Sequence, residues 1–313
     1  EKSGCRMRSL DWLLPSVAAG SLRTVLGKAV GGHFGCSLIK NLKAITVHGP
    51  FPVMDQKLVF PAPVDFVVSA KDNSANRFLP ETIEAAGGEG VDLPFKLRPA
   101  SLGKIGNFKF RNASTWWSHS MMTNWLTANN SIPQGLLDNP QQGFQRAVKD
   151  ERTHVNIDPV TGAAKDEMLF STTGLVADQF FVRGQKSGRG TAQDVTLSLR
   201  VQFDNTIGSD LQSKVGQIDA LHPLGGERRL VHLSSKSTAP EGWNCPQKVR
   251  EALRDLDNYS PEKKCIRMVL ATPAIFTHGW RPGWLTEQNG ELKGCAPGTT
   301  TQLKLVSVQI HRW

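Results

Sequence analysis

Leu224-Gly225-Gly226-Glu227-Arg228-Arg229 gathers the most chemistry into the shortest span of this chain. Two glycines allow a positive-φ turn and close backbone approach to a ligand. Two arginines follow at once, and Leu230-Val231-His232-Leu233 then reads as a strand. Unblocked N–H groups beside planar guanidinium forks suit phosphate and RNA backbones. The same residues also fit a tight turn with solvated arginines. Other cations are spread along the chain: Arg23 and Lys28 on the first helix, Arg111 after Phe108-Lys109-Phe110, Arg152 beside His154, and Arg281 between Trp280 and Trp284. Phosphates attract charge and unstacked bases need flat partners, so interleaved guanidinium and indole groups suit a single-stranded nucleic acid. Each arginine alone equally fits a solvated face or a local ion pair.

Reaction chemistry is harder to find. No GxxxxGK[ST], HExxH or GxSxG motif occurs, and no paired cysteines mark a zinc site, so neither a cofactor nor a metal is expected. Of the eight histidines, His33 sits in Gly31-Gly32-His33-Phe34-Gly35, where a neutral imidazole could take a 2′-hydroxyl proton. A surface-loop histidine fits the same residues. His119, His154 and His278 have no catalytic partner within sequence reach. The reading is a binding constellation with no catalytic residue assigned.

The composition supports that reading. Lys and Arg number 37 against 28 Asp and Glu, a net charge of +9 that favours polyanionic partners through counterion release. The 5 cysteines are odd in number and widely spaced, which reads as reduced thiols in a cytoplasmic protein. No apolar run reaches membrane-spanning length and the N-terminus lacks a signal-peptide core, so the expectation is a soluble chain with no membrane contact. The 8 tryptophans against 1 tyrosine are either core anchors or stacking platforms.

These residues need elements to position them. Residues 15–30 read as a helix, with Pro15 at its start, Ala18, Leu22, Val25, Leu26 and Ala29 on one face, and Gly31-Gly32 ending it. Residues 57–68 hold two extended runs broken by Pro61 and Pro63, an edge or bulged strand. Residues 115–127 look helical, with Trp117, Met121 and Trp125 at i, i+4, i+8. Two extended segments around 153–171 flank Asp158-Pro159-Val160-Thr161-Gly162, strong turn chemistry for a hairpin. The glycine-rich basic segment 184–190 reads as a loop. Val195, Leu197, Leu199, Val201 and Phe203 alternate as a half-buried strand, and Val249, Ala252, Leu253 and Leu256 form an amphipathic helix. Cys265–Ala271 and Leu303–His311 read as strands. The mixture lacks βαβ regularity, which argues for an α+β fold, and two β-rich halves fit a pair of ferredoxin-like units.

Several segments together resemble one family, the Cas5-like RAMP subunit of the type III-B (Cmr) CRISPR effector complex, its third Cmr component. They are Pro15-Ser16-Val17-Ala18-Ala19-Gly20-Ser21-Leu22-Arg23-Thr24, Gly49-Pro50-Phe51, and Phe60-Pro61-Ala62-Pro63-Val64-Asp65. Val155-Asn156-Ile157-Asp158 with Thr161-Gly162 and Leu169-Phe170 follow. Leu224 to Arg229, and Leu270-Ala271-Thr272-Pro273-Ala274-Ile275-Phe276-Thr277-His278-Gly279-Trp280-Arg281-Pro282, complete the series in the family's order.

The resemblance implies two ferredoxin-like (RRM/RAMP) domains with a glycine-rich loop and an inserted β-hairpin: residues 1–194 with insertions, and 195–313 carrying the loop. It implies a non-catalytic subunit that binds the repeat-derived 5′ tag of crRNA. The partners implied are the large Palm-domain subunit, which makes cyclic oligoadenylates in this family, a backbone RAMP subunit and, indirectly, target RNA. Carried onto this chain, Ser21, Arg23, Gly225, Gly226, Arg228 and Arg229 are the expected tag contacts. Trp280 and Arg281 either join them or pack the second domain. The Asp158–Gly162 hairpin is a candidate thumb between tag and guide. The pattern departs from the family where Leu10–Leu14 runs straight into Pro15 and beyond the strand ending at His311; either the protein is abbreviated, or segments near 10–15, 71–77 and after 311 are missing from the sequence. Two other readings stay open: a metal-independent endoribonuclease using His33 with Lys28, and a protein-interaction module with a basic surface.

Overall fold

The computed structural model describes residues 5–6, 12–72, 74–82, 90–102, 109–111, 115–128, 143–144, 149–175, 196–204, 209–225, 229–259 and 264–310. The chain folds as two compact units whose segments alternate in sequence. One draws on 1–61, 116–127 and 140–273, the other on 62–115, 128–139 and 274–313.

The first unit is organised by helix α1, Pro15–Ala29. Pro15 starts it where a missing N–H costs nothing. Ala18, Leu22, Val25 and Leu26 are buried, as their spacing predicts. The helix ends in a two-bond glycine cap: Gly31 (φ 122°) and Gly32 (φ 73°) donate to the Lys28 and Gly27 carbonyls at 3.3 and 3.1 Å. Helix α2, Cys36–Ala44, follows and brings Leu42 to the same core. Beneath them lies an antiparallel sheet built from β1 (Thr46–Met54), β2 (Lys57–Pro61), β3 (Trp116–Ser118) and β6 (Thr196–Gln202), in the order β3-β2-β1-β6, with Gly143–Phe144 beside β3. Leu22, Leu26, Leu42, Ile45 and Leu211 form the helix side of the core, and Val47, Leu199, Val201 and Phe203 pack on it from the sheet. The strand just past residue 195 therefore pairs with one from the first quarter of the chain.

A second cluster joins Trp12, Met54, Val59 and Trp116. The Trp12 indole donates to the Pro50 carbonyl at 3.0 Å and meets Trp116 with centroids 4.6 Å apart.

Two hairpins complete the unit. The first pairs β4 (Lys149–Ile157) with β5 (Ala164–Leu175) around the expected turn. There Asp158 Oδ1 accepts the Val160 N–H at 2.8 Å, and Gly162 takes φ 67°. The second pairs β7 (Asp219–Leu224) with β8 (Arg229–Ser234), closing at Leu224 and Arg229. Helix α3 (His119–Thr127), α4 (Ser209–Val215) and α5 (Gln247–Asp255) are the remaining helices of this unit among the described residues, α5 as the sequence predicts.

Four local expectations are corrected. The helix foreseen over 115–127 begins at His119, because Trp116–Ser118 pairs with β2 and aromatic residues suit a half-buried strand. Ser118 caps the helix by accepting the Met121 N–H at 3.2 Å, and Trp117 still meets Trp125 edge-on at 5.5 Å. The strand before Pro61 is interior rather than edge or bulged: Lys57–Pro61 lies between β1 and β3, with proline at its last residue. Residues 264–271 form no ladder, and Ile266, Met268 and Leu270 are exposed; apolar alternation favours an extended chain, but a strand also needs a partner. Of 303–310 only the start joins a ladder, within Gln302–Lys304; His311 and the segment 184–190 lie outside the described residues.

The second unit holds small antiparallel sheets. Phe66–Ser69 pairs with Ala75–Arg77 and with Phe110–Arg111. Thr286–Gln288, Glu291–Cys295 and Gln302–Lys304 form a meander over a fully buried Leu292. Asn289 (φ 54°) and Gly290 (φ 74°) make its tight first turn. The whole is a mixed helix-and-strand protein, as the α+β reading requires.

Candidate nucleic-acid interface

The glycine turn is carried by β7 and β8, and α1 packs against β7. The buried Ser21 hydroxyl donates to the Pro223 carbonyl at 3.0 Å and lies 2.9 Å from His222 Nδ1. Ser21 thus fastens the hairpin to the helix two residues before the turn begins. Arg23 is turned into the protein: Nη2 donates to the Ile45 carbonyl at 2.7 Å, and its buried Nε has no hydrogen-bond partner. Lys28, one turn further on, is exposed. Gly225 takes φ 76°, as the turn chemistry requires; Gly226, Glu227 and Arg228 lie outside the described residues.

Arg229 reaches the other hairpin. On β4, Asp150, Arg152 and His154 share one face because side chains alternate along a strand. Across the ladder they oppose Gly174, Thr172 and Phe170 of β5. Arg152 Nε donates to Asp150 Oδ2 at 2.7 Å, and Arg229 Nη2 stands 3.7 Å from the same oxygen. The Arg229 guanidinium covers Gly174 so closely that a Cβ there would lie 2.4–2.6 Å from Nη2, Cζ and Nη1. Two cations therefore share one carboxylate, which leaves the trio with a net positive charge. His154 is held beside them: Nε2 is 2.8 Å from Thr172 Oγ1 and the ring stacks on Phe170 at 5.2 Å. Partial exposure of all three charged side chains keeps the cluster within reach of a ligand.

The remaining expected contacts fall elsewhere. Trp280 and Arg281 belong to the second unit, where Trp280 is half-buried and the Arg281 guanidinium stands 5.4 Å from the Phe95 ring centroid. The Arg111 backbone pairs with Val68 in that unit, and its side chain lies outside the described residues. His33 is exposed on its glycine loop. The sequence reading missed Asp150 and Gly174, whose roles depend on a partner far along the chain. It also missed an open groove of about 580 Å³ lined by His48, Gly49, Phe51, Phe60, Arg200 and Trp243. There Arg200 Nη1 donates to the Trp243 carbonyl at 3.1 Å, and the Trp243 indole donates to Ser198 Oγ at 3.0 Å. Arg200 had shown only as a polar position on an alternating strand.

Among the described residues no three His, Cys, Asp or Glu side chains are grouped to hold a metal ion. Cys36, Cys245, Cys265 and Cys295 are free, and among the described residues no helix is long and apolar enough to cross a membrane.

A mixed α/β chain with basic side chains gathered where two hairpins meet is the class of protein these observations define. The chain belongs to the family of CRISPR-associated proteins designated Cas_Cmr3, which matches it over residues 8–313. This is the family its motifs resemble. Among solved structures it is similar to a chain of the type III-B Cmr-beta complex bound to cognate target RNA and AMPPnP, determined by cryo-EM. That match has TM-score 0.36 and 14% identity and covers 76% of this chain and 58% of that one. A second, from Cmr-beta bound to cognate target RNA, has TM-score 0.35 and 15% identity, covering 74% and 55%. The match thus extends over less than two thirds of those chains' own length. No match was found among curated proteins.

Proposed function

We propose that this protein is a non-catalytic RNA-binding subunit of a type III-B CRISPR ribonucleoprotein. It holds the 5′ repeat-derived tag of crRNA and caps the backbone of RAMP subunits next to the large Palm-domain subunit, in the cytoplasm, for RNA-guided antiviral defence. Membership of the Cas_Cmr3 family supports the setting. The observation that carries the reading is the convergence of Arg152 and Arg229 on one Asp150 oxygen at the foot of the glycine turn. An arginine paired this way is ordered in advance, so less side-chain entropy is lost when a phosphate arrives.

In this reading Arg228, Arg229, Arg152 and Lys28 meet phosphates, and Gly225 and Gly226 let the backbone approach. His154 offers a flat face to a sugar or base. Ser21 and Arg23 act from beneath, fixing the hairpin and the helix. Trp280 and Arg281 serve the second of two ferredoxin-like RAMP domains, divided near residue 194, Arg111 serves the first, and the Asp158–Gly162 hairpin is the thumb between tag and guide. Binding of tag-bearing RNA by wild type and by Arg228→Ala/Arg229→Ala tests this. The variant is expected to bind about tenfold or more weakly, with a salt slope lower by roughly one for each lost phosphate contact. Equal binding of tagged and scrambled RNA by both proteins refutes it.

A further inference from the structure

We infer that Gly174 is a positioning residue for Arg229: its bare backbone is the floor on which the guanidinium lies flat, with the Asp150 carboxylate as the lateral stop, so that the Arg152–Arg229 pair presents one seat for a phosphodiester. The inference deepens the RNA-binding reading and rests on it. It starts from a glycine that the backbone does not require. Glycine inside a strand forfeits packing and conformational entropy, so it persists only where a bulge or a close approach calls for it. The φ of Gly174 is not in the left-handed region, and its register with Asp150 is regular. What calls for glycine here is space. The site of a Cβ is nearly equidistant from Nη2, Cζ and Nη1 of Arg229, at 2.4, 2.6 and 2.5 Å for Nη2, Nη1 and Cζ in turn. Near-equality across the three atoms means that the strand meets the face of the guanidinium rather than its edge. A face-down fork keeps its N–H groups in the plane of the fork, with Nη2 3.7 Å from Asp150 Oδ2. Arg152 approaches the same oxygen from the β4 side at 2.7 Å. The two forks are therefore held around one anchor, as bidentate recognition of a phosphate needs.

The substitution that tests this is mild for the fold. The three atoms that a methyl group at 174 meets most closely all belong to the flexible tip of Arg229, which can swing away without moving the strand. Gly174→Ala in the full chain is expected to keep the wild-type melting temperature within a few degrees. Its binding of tag-bearing RNA should weaken about tenfold, the loss of roughly one charged hydrogen bond, and its salt slope should fall toward that of Arg229→Ala. The alanine should have no further effect in the Arg229→Ala background. It should also have none beside Arg229→Lys, whose compact ammonium needs no flat floor. Wild-type binding by Gly174→Ala, or an equal loss in the Arg229→Ala background, overturns the positioning role while leaving the RNA-binding reading intact. If Arg229→Ala itself binds tagged RNA like wild type, with an unchanged salt slope, the function and the inference fall together.

Discussion

Ser21→Ala separates a direct RNA contact from a structural pin. The hydroxyl is 7% exposed, donates to the Pro223 carbonyl at 3.0 Å and lies 2.9 Å from His222 Nδ1. Alanine removes both contacts, while the Pro223 carbonyl keeps His222 Nδ1 at 2.8 Å. A hydrogen bond contributes about 1 kcal/mol net and its acceptor Pro223 is exposed, so a loss near 1 kcal/mol is expected. For a chain of 313 residues that corresponds to a fall in Tm of about 1–2 °C. Loosening the hairpin lowers the fraction of molecules with the glycine turn in place, so RNA binding should weaken a fewfold. The salt slope should not change, because no charge is removed. Thermal unfolding and a salt titration of binding on the same preparation decide the matter. An unchanged Tm together with weaker RNA binding would mean that the hydroxyl touches the RNA, and the pinning argument would be wrong.

Two further changes probe other parts of the molecule. Glu291 is held at a pKa of about 2, below the usual 4.5, chiefly by hydrogen bonds from Lys293 and then Lys304. A lowered folded-state pKa contributes stability that is complete above the unfolded value and is lost as pH falls through the folded one. Glu291→Gln should therefore be less stable than wild type at pH 7, with the gap closing between pH 4.5 and 2; a gap constant over that window counts against the pairing. Ser118→Ala removes the cap on α3 and should cost about 1 kcal/mol in denaturant unfolding with an unchanged m-value. No loss of stability would show that the helix start is fixed by the Trp117–Trp125 contact alone.

Where local chemistry is decisive, the sequence was a good guide. Proline at the start and a glycine pair at the end bound α1 within a residue of its observed span. The Asp158–Gly162 turn forms because an aspartate that caps its own turn and a glycine free to take positive φ leave the chain few alternatives. Leu199, Val201 and Phe203 reach the core through the period of two. The reading failed where a pattern was compatible with two states. Trp116 and Trp117 fit a helical stripe and a strand equally, and the β2 ladder decided between them. Cys265–Ala271 alternates like a strand, yet it joins no ladder among the described residues.

The candidate site divides along the same line. The sequence by itself determined that a glycine turn leads through two arginines into a strand, and that the chain carries the motifs and the positive charge of its family. Only the tertiary structure decided what Arg229 faces. Arg229 meets Asp150 and Gly174, residues of another hairpin, and Ser21 meets Pro223 from a helix near the other end of the sequence. Backbone propensity acts over a few residues and is written in their side chains. A shared carboxylate, or the absence of a Cβ beneath a guanidinium, acquires meaning only when packing brings distant strands within a few ångströms of each other.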